Sequence, residues 1–400
     1  MAVRGGSSIR QSRGNVSKSR PTITTAMAVH QPNPTPNAFV RVLRRLYHPL
    51  GFKKGYNFTL YFIFAGALLG FCLAKLPILD IDGYWKKTGP PGEYFWYSQT
   101  FYKAMLILHL ACILPAGILV IFQFAPVIRH KLIIFHRVNG YAILLLLLLS
   151  NIGACAIGRR AFGGSLATQM FVGVLALGTT ISSVLAYTNI KRLQIDQHRA
   201  WMLRTWFYAG SIITLRLIMI IMAGIISKTG EYFDYYHIMR CEKIIFTAGL
   251  DVANTYAACA ANPNGLAIVR ANLSQAQNVV EAAAALEVCF AAAGWLAFIM
   301  HAVGVEVYLR LTGAESERLR IVSYERQLAR GMTPTGSAGL TADKLGDAEE
   351  WRPPAVDAEK AVDSRHASPV GESVGDDQES RKVSESSNEL SRPQPALGWR

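Results

Sequence analysis

Apolar residues along this chain fall in long blocks separated by short polar connections. Six blocks, roughly 57–76, 101–123, 137–157, 166–188, 203–226 and 284–309, are long and uncharged enough to cross a hydrocarbon core of about 30 Å as helices. The third contains an unbroken Leu run between Ala142 and Ser150. The first ends at Leu76-Pro77, where a proline stops a helix. The pattern predicts an all-α polytopic transmembrane bundle of six spans. A weaker block, 244–261, carries Asp251 and Asn254 near its middle. It reads as a helix within a loop. The seven-span alternative stays open, although it moves the basic flank after Arg310 to the far side.

The remaining sequence divides around this bundle. Residues 1–56 read as a disordered basic tail, 57–310 as the transmembrane domain with a long outer loop at 227–283, and 311–400 as a disordered tail rich in Ser, Glu, Asp and Pro. Residues 1–35 lack the apolar core of a secretory signal, so the first span is expected to act as an uncleaved anchor.

Charge orients the spans. The chain has a net charge of +14, yet only 17% of its residues are charged. The first 56 residues hold ten Lys and Arg and no acid. Basic residues also follow span two (Arg129, Lys131, Arg137), span four (Lys191, Arg192, Arg199, Arg204) and span six (Arg310, Arg318, Arg320). Arg159 and Arg160, on the other side, are outnumbered. The positive-inside rule places both termini in the cytosol. No folded basic module surrounds these charges, so the expected partner is the lipid bilayer and not nucleic acid. A secretory-pathway or plasma membrane is expected. The Arg- and Ser-rich, acid-free start also fits a mitochondrial presequence.

Of the six cysteines, Cys72, Cys112, Cys155 and Cys289 fall inside spans and read as small packing residues. Cys241 and Cys259 share the outer loop, where an oxidising compartment would join them as a disulfide. The sequon Asn272-Leu273-Ser274 in the same loop makes Asn272 a candidate for glycosylation.

Ionisable residues at membrane depth are costly and therefore candidates for function. His109, Arg216 and Glu287 all fall in the outer halves of spans two, five and six, with Glu287 the natural anion for Arg216. A structural ion pair is the competing reading. A second group gathers at the expected cytosolic face: His136 and Arg137 opening span three, His198 and Arg199 before span five, and His301 and Glu306 near the end of span six.

Several of these residues form a recognisable series: His109; His136-Arg137-Val138-Asn139-Gly140-Tyr141; Gly163-Gly164; Asp196-Gln197-His198-Arg199-Ala200-Trp201-Met202-Leu203-Arg204; and Arg216. The series resembles a widespread family of predicted multi-pass membrane proteins of unknown function found in bacteria and fungi. Glu306 resembles that family's acid at the end of the last span. The extended loop and long tails resemble a fungal elaboration. The resemblance implies a membrane bundle and no particular activity.

The biochemical activity is therefore unknown from sequence, and three classes of activity compete with a scaffold or accessory role in which the polar residues only set packing. Histidines on facing helices hold haem b in membrane electron carriers, and His136, His198 and His301 offer such a pair. A transporter or sensor would use His109, Arg216 and Glu287 to bind an anion, a proton or a small acid. An enzyme could use His136 or His198 with Asp196, but no metal-ligand motif of useful spacing is present.

Overall fold

The computed structural model describes residues 44–45, 47–229, 234–274 and 278–353. Most of the expected N-terminal tail, and residues 354–400 of the expected C-terminal one, lie outside them. Among the described residues, six helices are long and apolar enough to span a membrane. They are α1 (Gly55–Lys75, continued by a 3-10 turn to Leu79), α3 (Thr100–Phe124), α5 (Ile133–Gly158), α6 (Leu166–Lys191), α7 (Ile195–Thr229) and α11 (Val279–Leu311). Short helices α2 (Tyr94–Tyr97) and α4 (Pro126–Lys131) precede α3 and α5.

Each of the six expected blocks lies inside one of these helices, but α7 and α11 are longer than hydropathy indicated. At 1.5 Å per residue, the 35 and 33 residues of α7 and α11 extend about 50 Å. Both exceed the apolar thickness of a bilayer by several turns. The polar stretch from Asp196 to Arg204 is therefore the first part of α7 and not a connection.

The chain forms two compact units. In the first, whose described residues lie within 44–88 and 107–150, small side chains let helices approach closely. A Cβ on Gly117 of α3 would stand 2.7 Å from Cys72 Sγ of α1. Side chains also satisfy backbone carbonyls between helices: Tyr61 Oη donates to Ile121 O at 3.1 Å, and Asn139 Nδ2 to Leu119 O at 3.1 Å.

The described residues of the second unit lie within 89–106 and 151–353. Its core runs along α7 and α11, with Leu215, Met219 and Ala223 against an alanine-rich face that includes Ala284, Ala293 and Ala297. Phe171 of α6 fills the space over Gly294, where a Cβ would meet the ring at 2.9 Å.

The loop between α7 and α11 folds as a small subassembly. Strands β1 (Tyr236–Arg240) and β2 (Leu266–Arg270) pair antiparallel with His237 opposite Val269. Between them lie α8 (Cys241–Ala248), α9 (Leu250–Asn254) and α10 (Ala257–Ala261). The segment 244–261 is thus a set of short helices and not a seventh span. The expected Cys241–Cys259 disulfide is present, with a Cα–Cα distance of 5.3 Å.

The chain after α11 differs from the expected tail. Residues Gly313–Leu328 form helix α12, and the following turns fold back over it. Gln327 of α12 donates to Arg192 O at 3.0 Å and to Gln194 Oε1 at 3.1 Å. Ser323 Oγ accepts from Ile195 N–H at 2.8 Å, while Gln194 donates to Asp196 at 2.7 Å and to Gly336 O at 3.0 Å. These groups are buried, so the network replaces their hydration and fixes α12 on the α6–α7 turn.

Candidate functional site

The second unit concentrates ionisable side chains where the loop between α7 and α11 meets those two helices. Glu287 lies about two turns into α11, facing the loop. Its Oε1 pairs with Lys243 Nζ of α8, and its Oε2 stands 3.0 Å from His237 Nε2 of β1. Lys243 Nζ also lies 4.0 Å from Oε1 of Glu93, the residue before α2. Glu93 is 1% exposed, Glu287 3% and Lys243 4%, so water contributes little to holding these charges.

The backbone supplies a further contact. Phe162, Gly163 and Gly164 follow α5 with three consecutive positive φ angles, 47°, 78° and 61°. This left-handed turn aims the Phe162 N–H at Glu93 Oε2, 3.0 Å away. It also presses the chain against the charges: a Cβ on Gly163 would lie 2.7 Å from His237 Nε2 and 3.1 Å from Glu287 Oε2. Gly92, at φ +76°, lies as close on the other side, its absent Cβ 2.7 Å from Lys243 Cε. The cluster is therefore walled by two glycines and packed without spare room.

Arg216 of α7 completes the group. Its guanidinium Cζ sits 4.6 Å from the Phe162 ring centroid and 5.4 Å from that of Phe290. The two rings stack at 4.4 Å with an interplanar angle of 6°. Arg216 acts electrostatically on Glu93 and Tyr97. Two carboxylates thus face two fixed cations, with the His237 imidazole beside them.

These surroundings set the ionisation of Glu93. Burial pushes its carboxyl up to about 7, the nearby Glu287 pushes the same way, and Lys243, the Phe162 N–H and Arg216 pull it back. Burial and Glu93 together hold the neighbouring Tyr97 hydroxyl well above its ordinary range. One oxygen of Glu93, Oε1, is buried with no hydrogen-bond partner. A buried acceptor left in this way is a place where a proton can reside.

The three residues expected at membrane depth are placed differently from one another. Glu287 is at the centre of the cluster and Arg216 at its edge. The Arg216–Glu287 pair expected from sequence does not occur among the ion pairs of the described residues; Lys243 and His237 meet the Glu287 anion instead. His109 belongs to the first unit, where Ser150 Oγ lies 2.9 Å and Ser150 O 3.1 Å from its Nδ1. Sequence reasoning passed over Glu93, His237 and Lys243. The signal available was the position of His237 and Lys243 next to Cys241, which ties that stretch down, and of Glu93 between Gly92 and an aromatic run.

The residues expected at the opposite face are also divided. In the second unit, Arg204 grips Glu306 through Nε at 2.6 Å and Nη2 at 3.0 Å, with Trp201 beneath its guanidinium. Arg199 donates to Thr312 Oγ1 at 3.0 Å and Ser316 Oγ at 3.3 Å, joining α7 to α12. His198 Nδ1 lies 2.9 Å from Ala186 O. His301 has both ring nitrogens engaged, 2.8 Å from Phe207 O and 2.8 Å from Thr214 Oγ1. It holds α11 to α7 and offers no open nitrogen in this arrangement. His136 and Arg137 open α5 in the first unit, where Gln123 donates to His136 O at 3.0 Å. Asn272 is 7% exposed, and its Oδ1 accepts from Ser274 N–H at 2.8 Å.

Six long apolar helices among the described residues define a multi-pass integral membrane protein of unknown biochemical activity. Residues 106–245, about a third of the chain, match the family described as Predicted membrane protein (DUF2306). The match takes in His109, both His-Arg motifs, Arg216 and Lys243, and stops short of Glu287. A protein named Ava biosynthesis cluster protein G, from Aspergillus versicolor, is 22% identical over 331 residues, covering 68% of this chain and 94% of the relative. No solved structure matches the chain.

Proposed function

We propose that this chain is a proton-responsive membrane protein of a biosynthetic setting, with Glu93 as the proton-binding group of a sensor or transporter. The observation that carries this reading is the state of Glu93: fully buried, with an unpartnered oxygen 4.0 Å from Lys243 and a carboxyl pushed up to about 7. A cluster packed this tightly has space for a proton and none for a larger ligand. Below neutral pH Glu93 is neutral and the cluster carries excess positive charge. Above it, Glu93 and Glu287 balance Lys243 and Arg216. The change bears on α8 and β1, which hold the disulfide-bonded loop to α11. The name of the Aspergillus relative supports placing this response in a biosynthetic setting.

The disulfide supports an orientation with the loop on an oxidising side. Both termini then face the cytosol, in a membrane of the secretory pathway or at the cell surface.

Infrared difference spectroscopy of the purified protein, titrated from pH 5.5 to 8.5, tests the proton site. The native protein should lose a protonated-carboxyl signal near neutrality, and Glu93→Gln should lack that signal while remaining folded. Hydrogen exchange of residues 236–261 should change over the same pH range. A native protein without a neutral carboxyl, or a titration unaltered by Glu93→Gln, would make the cluster a structural clasp.

A further inference from the structure

One end of the first unit carries charge that its own sequence does not balance. Between residues 44 and 79, and between 101 and 150, there is no Asp or Glu. The acids of this unit, Asp80 and Asp82, follow α1 at its opposite end. At the end where α1 begins and α5 begins, Arg44, Arg45, Lys53, Lys54, Lys131 and Arg137 are all exposed. None of them joins an ion pair among the described residues.

Topology alone accounts for basic residues beside spans, since the positive-inside rule needs only their presence on one side. It does not account for their being fastened together. Val127 N–H of α4 donates to Leu50 O at 3.0 Å, joining the segment before α1 to the α3–α5 connection. Gly51 makes this approach feasible: its φ is +84°, and a Cβ there would stand 3.0 Å from Val127 N. Tyr47, Phe52, Ala125 and Pro126 are buried around the joint. Lys53 is three residues from this bond and Lys131 four, so at 3.8 Å per residue both backbones lie within about 16 Å of it.

What covers this face is indicated by its neighbours. Leu132, Ile133, Ile134 and Phe135 follow Lys131 directly and are exposed, Ile134 to 75%. An exposed apolar row adjoining exposed cations is the profile of a headgroup boundary, with hydrocarbon on one side and phosphate on the other. A soluble polyanion would match the charges and leave the apolar row unmatched.

We propose that this clasped basic face binds the headgroups of anionic phospholipids in the leaflet where α1 and α5 begin. The full-length protein, reconstituted in phosphatidylcholine bilayers with trace spin-labelled phosphatidylserine or phosphatidylcholine, tests it through the motionally restricted fraction of each label. Phosphatidylserine should associate severalfold more strongly at low salt. Lys53→Gln, Lys54→Gln and Lys131→Gln combined should bring the preference toward parity, by up to about fivefold for each lysine. The corresponding Lys→Arg variant should retain it. Equal association of the two labels, or a preference that survives the triple Gln variant, would overturn the proposal. Loss of the preference to inorganic phosphate at constant ionic strength would also overturn it, in favour of a free-phosphate site. Displacement by an oligonucleotide under the same conditions would assign the face to a polyanion instead.

Discussion

Lys243 stands between two carboxylates in a site almost closed to water, so removing its charge should be among the most damaging single changes to this fold. Lys243→Met keeps most of the side chain's length and apolar volume and deletes the ammonium. Glu287 then loses its ion-pair partner, and Glu93 loses the cation 4.0 Å from its Oε1. Breaking a buried pair from one side costs about 3–5 kcal/mol, because the remaining charge stays desolvated. An exposed pair would cost about 1 kcal/mol or less. Thermal unfolding in detergent reads the difference, as a fall of the midpoint on the order of 5–10 °C. The deficit depends on pH with a definite sign. Burial already raises Glu93 to about 7, above its unfolded value, and loss of Lys243 raises it further. The variant's folded state then binds more protons than its unfolded state, so its stability declines as pH rises through that range. The deficit should be larger at pH 8 than at pH 5. Lys243→Met with Glu287→Gln should recover most of the loss, since neither charge is then buried alone. A single variant within about 1 kcal/mol of native, or a double variant no better than the single, would refute the claim that these charges are buried and coupled.

Gly163→Ala should cost about 1–3 kcal/mol, from the strain of a β-carbon at φ +78° and from its overlap with His237 and Glu287; the thermal midpoint measures it. Glu306→Gln should be mild, costing under about 1 kcal/mol, because the Arg204–Glu306 fork has a carboxylate 48% exposed. The same unfolding assay compares both with Lys243→Met, and the ranking tests the identification of the buried cluster as the stabilising one.

Much of the architecture was legible because membrane insertion is decided locally. A helix crosses lipid if some 20 successive residues are apolar, and that property needs no knowledge of distant contacts. All six spans could be located in this way. The Cys241–Cys259 bridge was legible for a related reason, as two cysteines in one loop outside the lipid. Hydropathy could not report helix length, since it registers apolar residues and not hydrogen-bonded backbone. The start of α7 at Ile195 was missed for that reason. Segment 313–353 read as a tail because its composition is polar. Its order rests on Ser323 meeting the Ile195 N–H, and Gln327 meeting Gln194, across more than a hundred residues.

The site shows the same division. The residue types at membrane depth marked Arg216 and Glu287 as costly, and so as candidates, before any fold was known. Sequence could not supply their partners. Glu93 and Lys243 lie 4.0 Å apart and 150 positions apart in the chain, and Phe162 reaches Glu93 through a backbone N–H that carries no residue signature. The sequence by itself determined that this protein lives in a membrane and which stretches cross it, because transfer into lipid depends on composition over a single helix. The tertiary structure decided which buried charges share a site, because a Coulombic partner in a low-dielectric interior is chosen by distance in space, and the chain's return paths set that distance.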